Sequence, residues 1–220
     1  MLIKKEQLVP LVFPPGAGGH FLWELLTLHQ KVMPMDKDQA MLKLFKYKTL
    51  QGQVDRIKSQ ITSHDQWQMI EGHKYYVAPP DYAKNETARW IDRHRQLEIK
   101  TGDHYFFDKI YKQDYYYAMV VHRTTQFPLL NHLSKIIGFV NFNKHVKNSE
   151  GKIKNIIDGI DYSAWNLNVD CFIFEPDNFY YDWEYATSTL HRLYEYLDLQ
   201  LSKELVDATQ ELWNYYKLHH

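Results

Sequence analysis

A chain of 220 residues is long enough for one α/β domain with its own core, and short for two. A formal net charge of −1 excludes a global field that recruits nucleic acid or an acidic membrane. The single cysteine, Cys171, excludes an intrachain disulfide and fits a reducing cytoplasm. No signal-peptide core follows the charged start, and no stretch approaches the ~20 apolar residues of a membrane span, so the expectation is a cytoplasmic protein.

Leu8 to Phe13 is a short apolar run in which Leu11, Val12 and Phe13 suit a buried parallel strand. Phe21, Leu22, Leu25, Leu26 and Leu28 then recur at helical spacing and predict a helix running toward Pro34. Between them, Pro14-Pro15-Gly16-Ala17-Gly18-Gly19-His20 places three glycines in four positions. Such a turn lets the backbone approach a ligand closely. A helix starting there aims free N–H groups and its positive dipole end into the turn. Two readings stand: a phosphate-binding loop, or a strand-to-helix turn that needs glycine only for its geometry. Neither GxxxxGK[ST] nor GxGxxG is present.

Residues 36–62 predict helix broken at Gln51-Gly52, with Lys43, Lys46, Lys48, Arg56 and Lys58 on a solvated face. Gln68 to Tyr76 predicts one strand with His73 near its carboxyl end, where open α/β sheets bind ligands. Tyr82 to Lys100 predicts a mixed-charge helix, and 101–114 an irregular aromatic stretch. Tyr115 to Thr124 is the second clear strand, ending in His122 and Arg123. Gln126 to Phe139 carries Leu129, Leu130, Leu133, Ile136 and Ile137 at helical spacing, with Pro128 in the first turn. Residues 141–160 read as a polar surface excursion.

Val169 to Phe174 is the third strand, closed by the turn residues Glu175-Pro176-Asp177-Asn178. Cys171 inside it reads as a small core residue. Asp182 then caps a helix whose core face is Trp183, Ala186, Leu190, Leu193 and Leu197. Ser202 opens a last helix carrying Leu205, Val206, Leu212 and Trp213. Strands alternating with helices predict a single α/β domain over 1–220, built on a parallel sheet covered by helices. The glycine turn, His73 and His122-Arg123 are expected to converge at one edge of that sheet.

Three of these blocks, in this order, resemble the sulfotransferase family. Pro14 to Leu22, PPGAGGHFL, is similar to the family's 5′-phosphosulfate loop, YPKSGTTWL. Met119 to Ser134, MVVHRTTQFPLLNHLS, is similar to its 3′-phosphate block, a strand ending in Arg with a Ser further on. Val169 to Leu201 resembles its closing unit of strand, acidic turn and helix. The resemblance implies a P-loop-like three-layer α/β/α fold with a central parallel sheet. It also implies transfer of a sulfo group from 3′-phosphoadenosine 5′-phosphosulfate (PAPS) to a hydroxyl or amine of a small-molecule or glycan acceptor, without a metal.

On that resemblance Gly16, Ala17, Gly18, Gly19 and His20 cradle the 5′-phosphosulfate, and Arg123 pairs with the 3′-phosphate through its planar fork of donors. Asn131 stands where the family has its 3′-phosphate serine, with Ser134 a nearby substitute. His73 lies where many members carry a histidine base, and His20 is the second candidate for proton transfer or phosphate contact. The departures are specific: the loop lysine falls on Gly16, the threonine pair on Gly19 and His20, and the distal Arg-Lys-Gly triplet is absent.

Plainer readings stay open beside these. His20 also fits a packing histidine, His73 a structural one, and Arg123 a salt-bridge partner on a helix face. Tyr75, Tyr76, Tyr105, Phe106 and Phe107 line either an acceptor pocket or the core. Two other function classes remain: a catalytically degenerate nucleotide- or anion-binding interaction protein on the same fold, and a small-molecule or nucleotide kinase. No HExxH, CxxC, GxSxG or basic aromatic stripe is present, so neither a metal site, a serine hydrolase nor a nucleic-acid partner is expected.

Overall fold

The computed structural model describes residues 2–13, 18–35, 37–62, 67–70, 73–76, 99–100, 104–106, 114–122, 135–139, 142–147, 153–158 and 170–219. In chain order these form β1 (Leu2–Lys4), β2 (Leu8–Phe13), α1 (Gly19–Thr27), β3 (Val32–Pro34) and α2 (Lys37–Met41), which a π turn continues over Leu42–Lys46. Then come α3 (Leu50–Thr62), β4 (Trp67–Ile70), β5 (His73–Tyr76), β6 (Ile99–Lys100), β7 (His104–Phe106) and β8 (Tyr116–His122). The chain closes with β9 (Lys135–Phe139), β10 (Phe142–Lys147), β11 (Ile153–Asp158), β12 (Asp170–Phe174), α4 (Pro176–Tyr181), α5 (Trp183–Tyr196) and α6 (Lys203–His219).

Five strands, in the order β12-β9-β2-β8-β3, make a sheet in which every pairing is parallel. β2 is its middle strand and is buried along its whole length, as a run apolar at both even and odd positions requires. Pro10, which has no N–H to give, pairs with Met119 of β8 and lies before the two residues, Leu11 and Val12, that β9 flanks. The chain places β3 and β8 on one side of β2, then β9 and β12 on the other, so the strand order reverses at β2. α1 packs on β2, β3 and β8, α5 on β12, and α3 along α6. Two smaller sheets, β1-β7-β6 and β11-β10-β5-β4, complete the described strands.

The three clear strands expected from the sequence are β2, β8 and β12, and all lie in the parallel sheet. α5 starts as expected: the Asp182 carboxylate accepts from the N–H groups of Glu184 and Tyr185 at 2.9 and 3.2 Å, and Ala186, Leu190, Leu193 and Leu197 are buried. Ser202 accepts from the N–H of Leu205 at 3.3 Å at the head of α6.

Other expectations are corrected. α1 stops at Thr27, well before Pro34, which instead sits in the short edge strand β3, where a missing N–H is tolerated. The end of the expected helix over 126–139 is a strand, β9, between β12 and β2. Its Ile136-Ile137 pair is β-branched and fully buried, and a short apolar run carries no period that separates strand from helix. The break in 36–62 falls at Tyr47–Thr49 rather than at Gln51-Gly52; the Thr49 hydroxyl accepts from the Gly52 N–H, which makes Gly52 part of the first turn of α3. Residues 142–147 and 153–158 pair as an antiparallel hairpin, where a polar excursion was expected. Ile99–Lys100 and His104–Phe106 pair as strands; the rest of the expected helix over 82–100 lies outside the described residues. Cys171 is only half-buried, on the edge strand β12.

Candidate functional site

Parallel register aligns the carboxyl ends of the strands. Phe13, the last residue of β2, pairs with His122, the last of β8, and Phe139 of β9 pairs with Phe174 of β12. The rings of Phe13, Phe139 and Phe174 therefore run side by side, at 5.3 and 4.6 Å between centroids. They form an apolar floor beneath the end of the sheet.

Above that floor, Gly18 takes φ 71° and ψ 12°, the left-handed conformation that glycine adopts without a Cβ clash. It is the N-cap of α1, as a glycine it offers no side chain to cap the helix, and no acidic residue stands in the first turn. The positive end of the α1 dipole is therefore not neutralised by the helix itself. The Gly18 carbonyl accepts from the N–H groups of Phe21 and Leu22 at 2.9 and 3.3 Å, and from the Tyr180 hydroxyl at 2.7 Å. A Cβ on Gly18 would fall 2.6 Å from Tyr180 Cε2, and one on Gly19 would enter the Phe13 ring. Both glycines are thus required by packing within the protein, before any ligand is considered.

The expected site residues fall into three groups. Gly18, Gly19 and His20 stand together at the head of α1; His20 is exposed, with its ring edge-on to Phe13 at 5.5 Å. Gly16, Ala17, Arg123, Asn131 and Ser134 lie outside the described residues; His122, which precedes Arg123 in sequence, ends β8 and pairs with Phe13 at the end of β2. His73 is placed differently from the expectation. It opens β5 rather than ending a strand, pairs with Ile70 of β4, and belongs to a sheet separate from the parallel one. Where one strand was expected over Gln68 to Tyr76, Trp67–Ile70 and His73–Tyr76 pair as two antiparallel strands. Glu175, at the end of β12, accepts from Asn178 Nδ2 at 2.9 Å and from the Tyr185 hydroxyl at 3.1 Å, which ties it into its own turn.

A second polar cluster, at the opposite end of α1, was not expected. Lys43 and Arg56 are each 7% exposed, which overturns the solvated face for these two, whereas Lys46 and Lys48 are exposed as expected and Lys58 is half-buried. The Lys43 ammonium donates to the carbonyls of Thr27, His29 and Val32 at 2.5, 2.7 and 2.5 Å. Burial lowers its pKa to about 7, with Arg56 adding to the effect and Glu24 opposing it. Arg56 donates to both oxygens of Glu24, at 3.3 and 2.6 Å, and to Gln39 and Gln60. A charge pattern cannot reveal this, because nothing in it says which element covers the helix. Tyr180 was missed as well, and no spacing rule separates it from Phe179 and Tyr181.

Comparison with protein-family models, with curated proteins and with solved structures found no match. The fold defines an α/β protein with a five-stranded parallel sheet and helices. Among the described residues, no helix is long and apolar enough to cross a membrane, and no group of three His, Cys, Asp or Glu side chains could hold a metal ion.

Proposed function

We propose that the chain binds a 3′-phosphorylated adenine nucleotide at the carboxyl end of the parallel sheet and transfers a sulfo group from PAPS to an acceptor hydroxyl or amine. One observation carries the reading. The middle strand β2 is followed by a left-handed glycine and a helix N-terminus with no acidic residue in its first turn, at the point where the strand order reverses. Open α/β sheets bind ligands at that point, and helix N-termini favour anions. The same order supports a P-loop-like, three-layer arrangement.

In this reading the backbone of Gly16–His20 holds the 5′-phosphosulfate, Arg123 the 3′-phosphate, and Asn131 or Ser134 donates a further hydrogen bond. The acceptor oxygen or nitrogen attacks sulfur, the bond from sulfur to the phosphate oxygen breaks, and adenosine 3′,5′-bisphosphate leaves. A base takes the acceptor proton. Position favours His20 over His73, because His20 stands at the turn while β5 lies in another sheet. With glycine at the loop-lysine position, charge on the leaving phosphate rests on backbone N–H groups, which stabilise developing anions when preorganised.

A second reading is a non-catalytic nucleotide- or anion-binding protein on the same fold. It is favoured by Gly16 in place of the lysine, and by the packing demands that already account for Gly18 and Gly19.

Calorimetric titration with adenosine 3′,5′-bisphosphate, against ATP with Mg²⁺, tests the site. Micromolar binding of the bisphosphate alone supports it, and Arg123→Ala should then weaken binding by about 1.5–3 kcal/mol, the range of a charge-assisted bond. Turnover of PAPS with an acceptor separates the enzyme from the binding protein. ATP binding that requires Mg²⁺ would replace both readings with a kinase.

A further inference from the structure

The left-handed residue at the head of a helix sets the direction of the N–H groups that follow it. Here that residue is gripped from a distant part of the chain. Tyr180, in α4, donates its hydroxyl to the Gly18 carbonyl at 2.7 Å across 162 residues of sequence. Its ring lies so close to Gly18 Cα that no side chain fits between them. The ring is itself wedged by Phe21, Phe179, Tyr216 and Phe174, at 6.0, 5.3, 5.5 and 6.2 Å between centroids. The ring is partly buried and packs against the core. Burial, with Tyr216 adding to it, holds the hydroxyl pKa well above its ordinary value, so the group remains a donor.

We propose that Tyr180 is a positioning residue for the glycine turn: its hydroxyl and ring hold Gly18 in the left-handed conformation and thereby aim the first N–H groups of α1 at an anion. The ligand half of this inference rests on the anion site proposed above, whereas the conformational half does not. The strand β12 and the short α4 after it, which close the sheet, would then shape the loop that opens it. Glu175 accepts from Asn178 at the start of α4, and the Asp182 N–H donates to the Asn178 carbonyl at its end, so the grip belongs to a turn with hydrogen bonds at both ends.

The test uses the full chain carrying Tyr180→Phe, with the exposed neighbour changed in Tyr181→Phe as control. Amide exchange without ligand is read at Phe21 and Leu22, whose N–H groups donate to the Gly18 carbonyl, and, as a gauge of global stability, along β2; each protein is then titrated with adenosine 3′,5′-bisphosphate. Tyr180→Phe should speed exchange at Phe21 and Leu22 by about tenfold relative to β2 and weaken the bisphosphate by about fivefold, the effect of one hydrogen bond. Tyr181→Phe should change neither. Unchanged exchange and affinity in Tyr180→Phe would overturn the proposal. So would a rise in exchange shared equally by the turn and β2, because that marks a purely structural hydroxyl. If the unaltered protein binds no bisphosphate, the anion site falls, and the exchange ratio alone decides whether Tyr180 sets the turn.

Discussion

His29, just past the end of α1, shows how one side chain commits to a protonation state. Its Nδ1 accepts from the Lys31 N–H at 3.1 Å, and its Nε2 faces the Gln200 carbonyl at 3.2 Å. A carbonyl only accepts, so Nε2 carries the proton and Nδ1 must stay bare: the ring is neutral. Burial pushes its pKa below the ordinary value; the Gln200 bond opposes this, and Lys43 and Lys31 add to it. The unfolded chain therefore takes up this proton first. The stability His29 contributes is full above its unfolded pKa of about 6.5 and is lost as pH falls through that value toward the folded pKa. Urea unfolding of the protein and of His29→Gln between pH 5 and 8 checks this. The difference between them should shrink on acidification, and parallel curves would show that His29 does not titrate differently on folding.

At the scale of elements, the same helix is held at both ends by residues from elsewhere in the chain. Tyr180 grips its start, and Lys43, in the π turn after α2, gathers the carbonyls at its end. Three carbonyls matched by three N–H donors describe an ammonium, since a neutral amine has only two. Lys43→Met would leave those carbonyls without their donor in a buried place, and should cost about 3 kcal/mol of stability. A loss below about 1 kcal/mol, within the range of ordinary surface changes, would mean that water or a backbone shift replaces the cation. The pair of Lys58 and Glu211 between α3 and α6 is half-exposed and contributes far less, as surface ion pairs do.

At the scale of the whole molecule, the sheet is what the core is built around. Among the described strands, β2, β8 and β9 are paired on both edges, whereas β3 and β12 are paired on one. Amide exchange should follow that order: the amides of Leu11, Val12 and Ile137 should exchange by near-global unfolding, and those of β3 and β12 by smaller openings. Equal protection across all five strands would indicate that the edges are covered as firmly as the middle. Much of this architecture was legible beforehand. β2, β8 and β12 are apolar runs bounded by turn residues, and α5 and α6 carry a clear helical period behind Asp182 and Ser202. β9 was not legible, because Leu129 to Ile137 satisfies a helical spacing and only burial between two other strands decides its end.

The sequence by itself determined the α/β class, the central strand, the glycine turn at its end and the capped helices near the carboxyl terminus. Each of these depends on neighbours within a few residues, where steric and hydrogen-bonding rules act locally. Tertiary structure alone decided the strand order, the burial of Lys43 and Arg56, and the removal of His73 to another sheet. It also decided the reason Gly18 and Gly19 must be glycine. Those features arise where Tyr180 meets Gly18, Phe13 meets Gly19, and Lys43 meets the end of α1. Side-chain contacts between separate elements, whether close in sequence or distant, leave no period or motif in the chain.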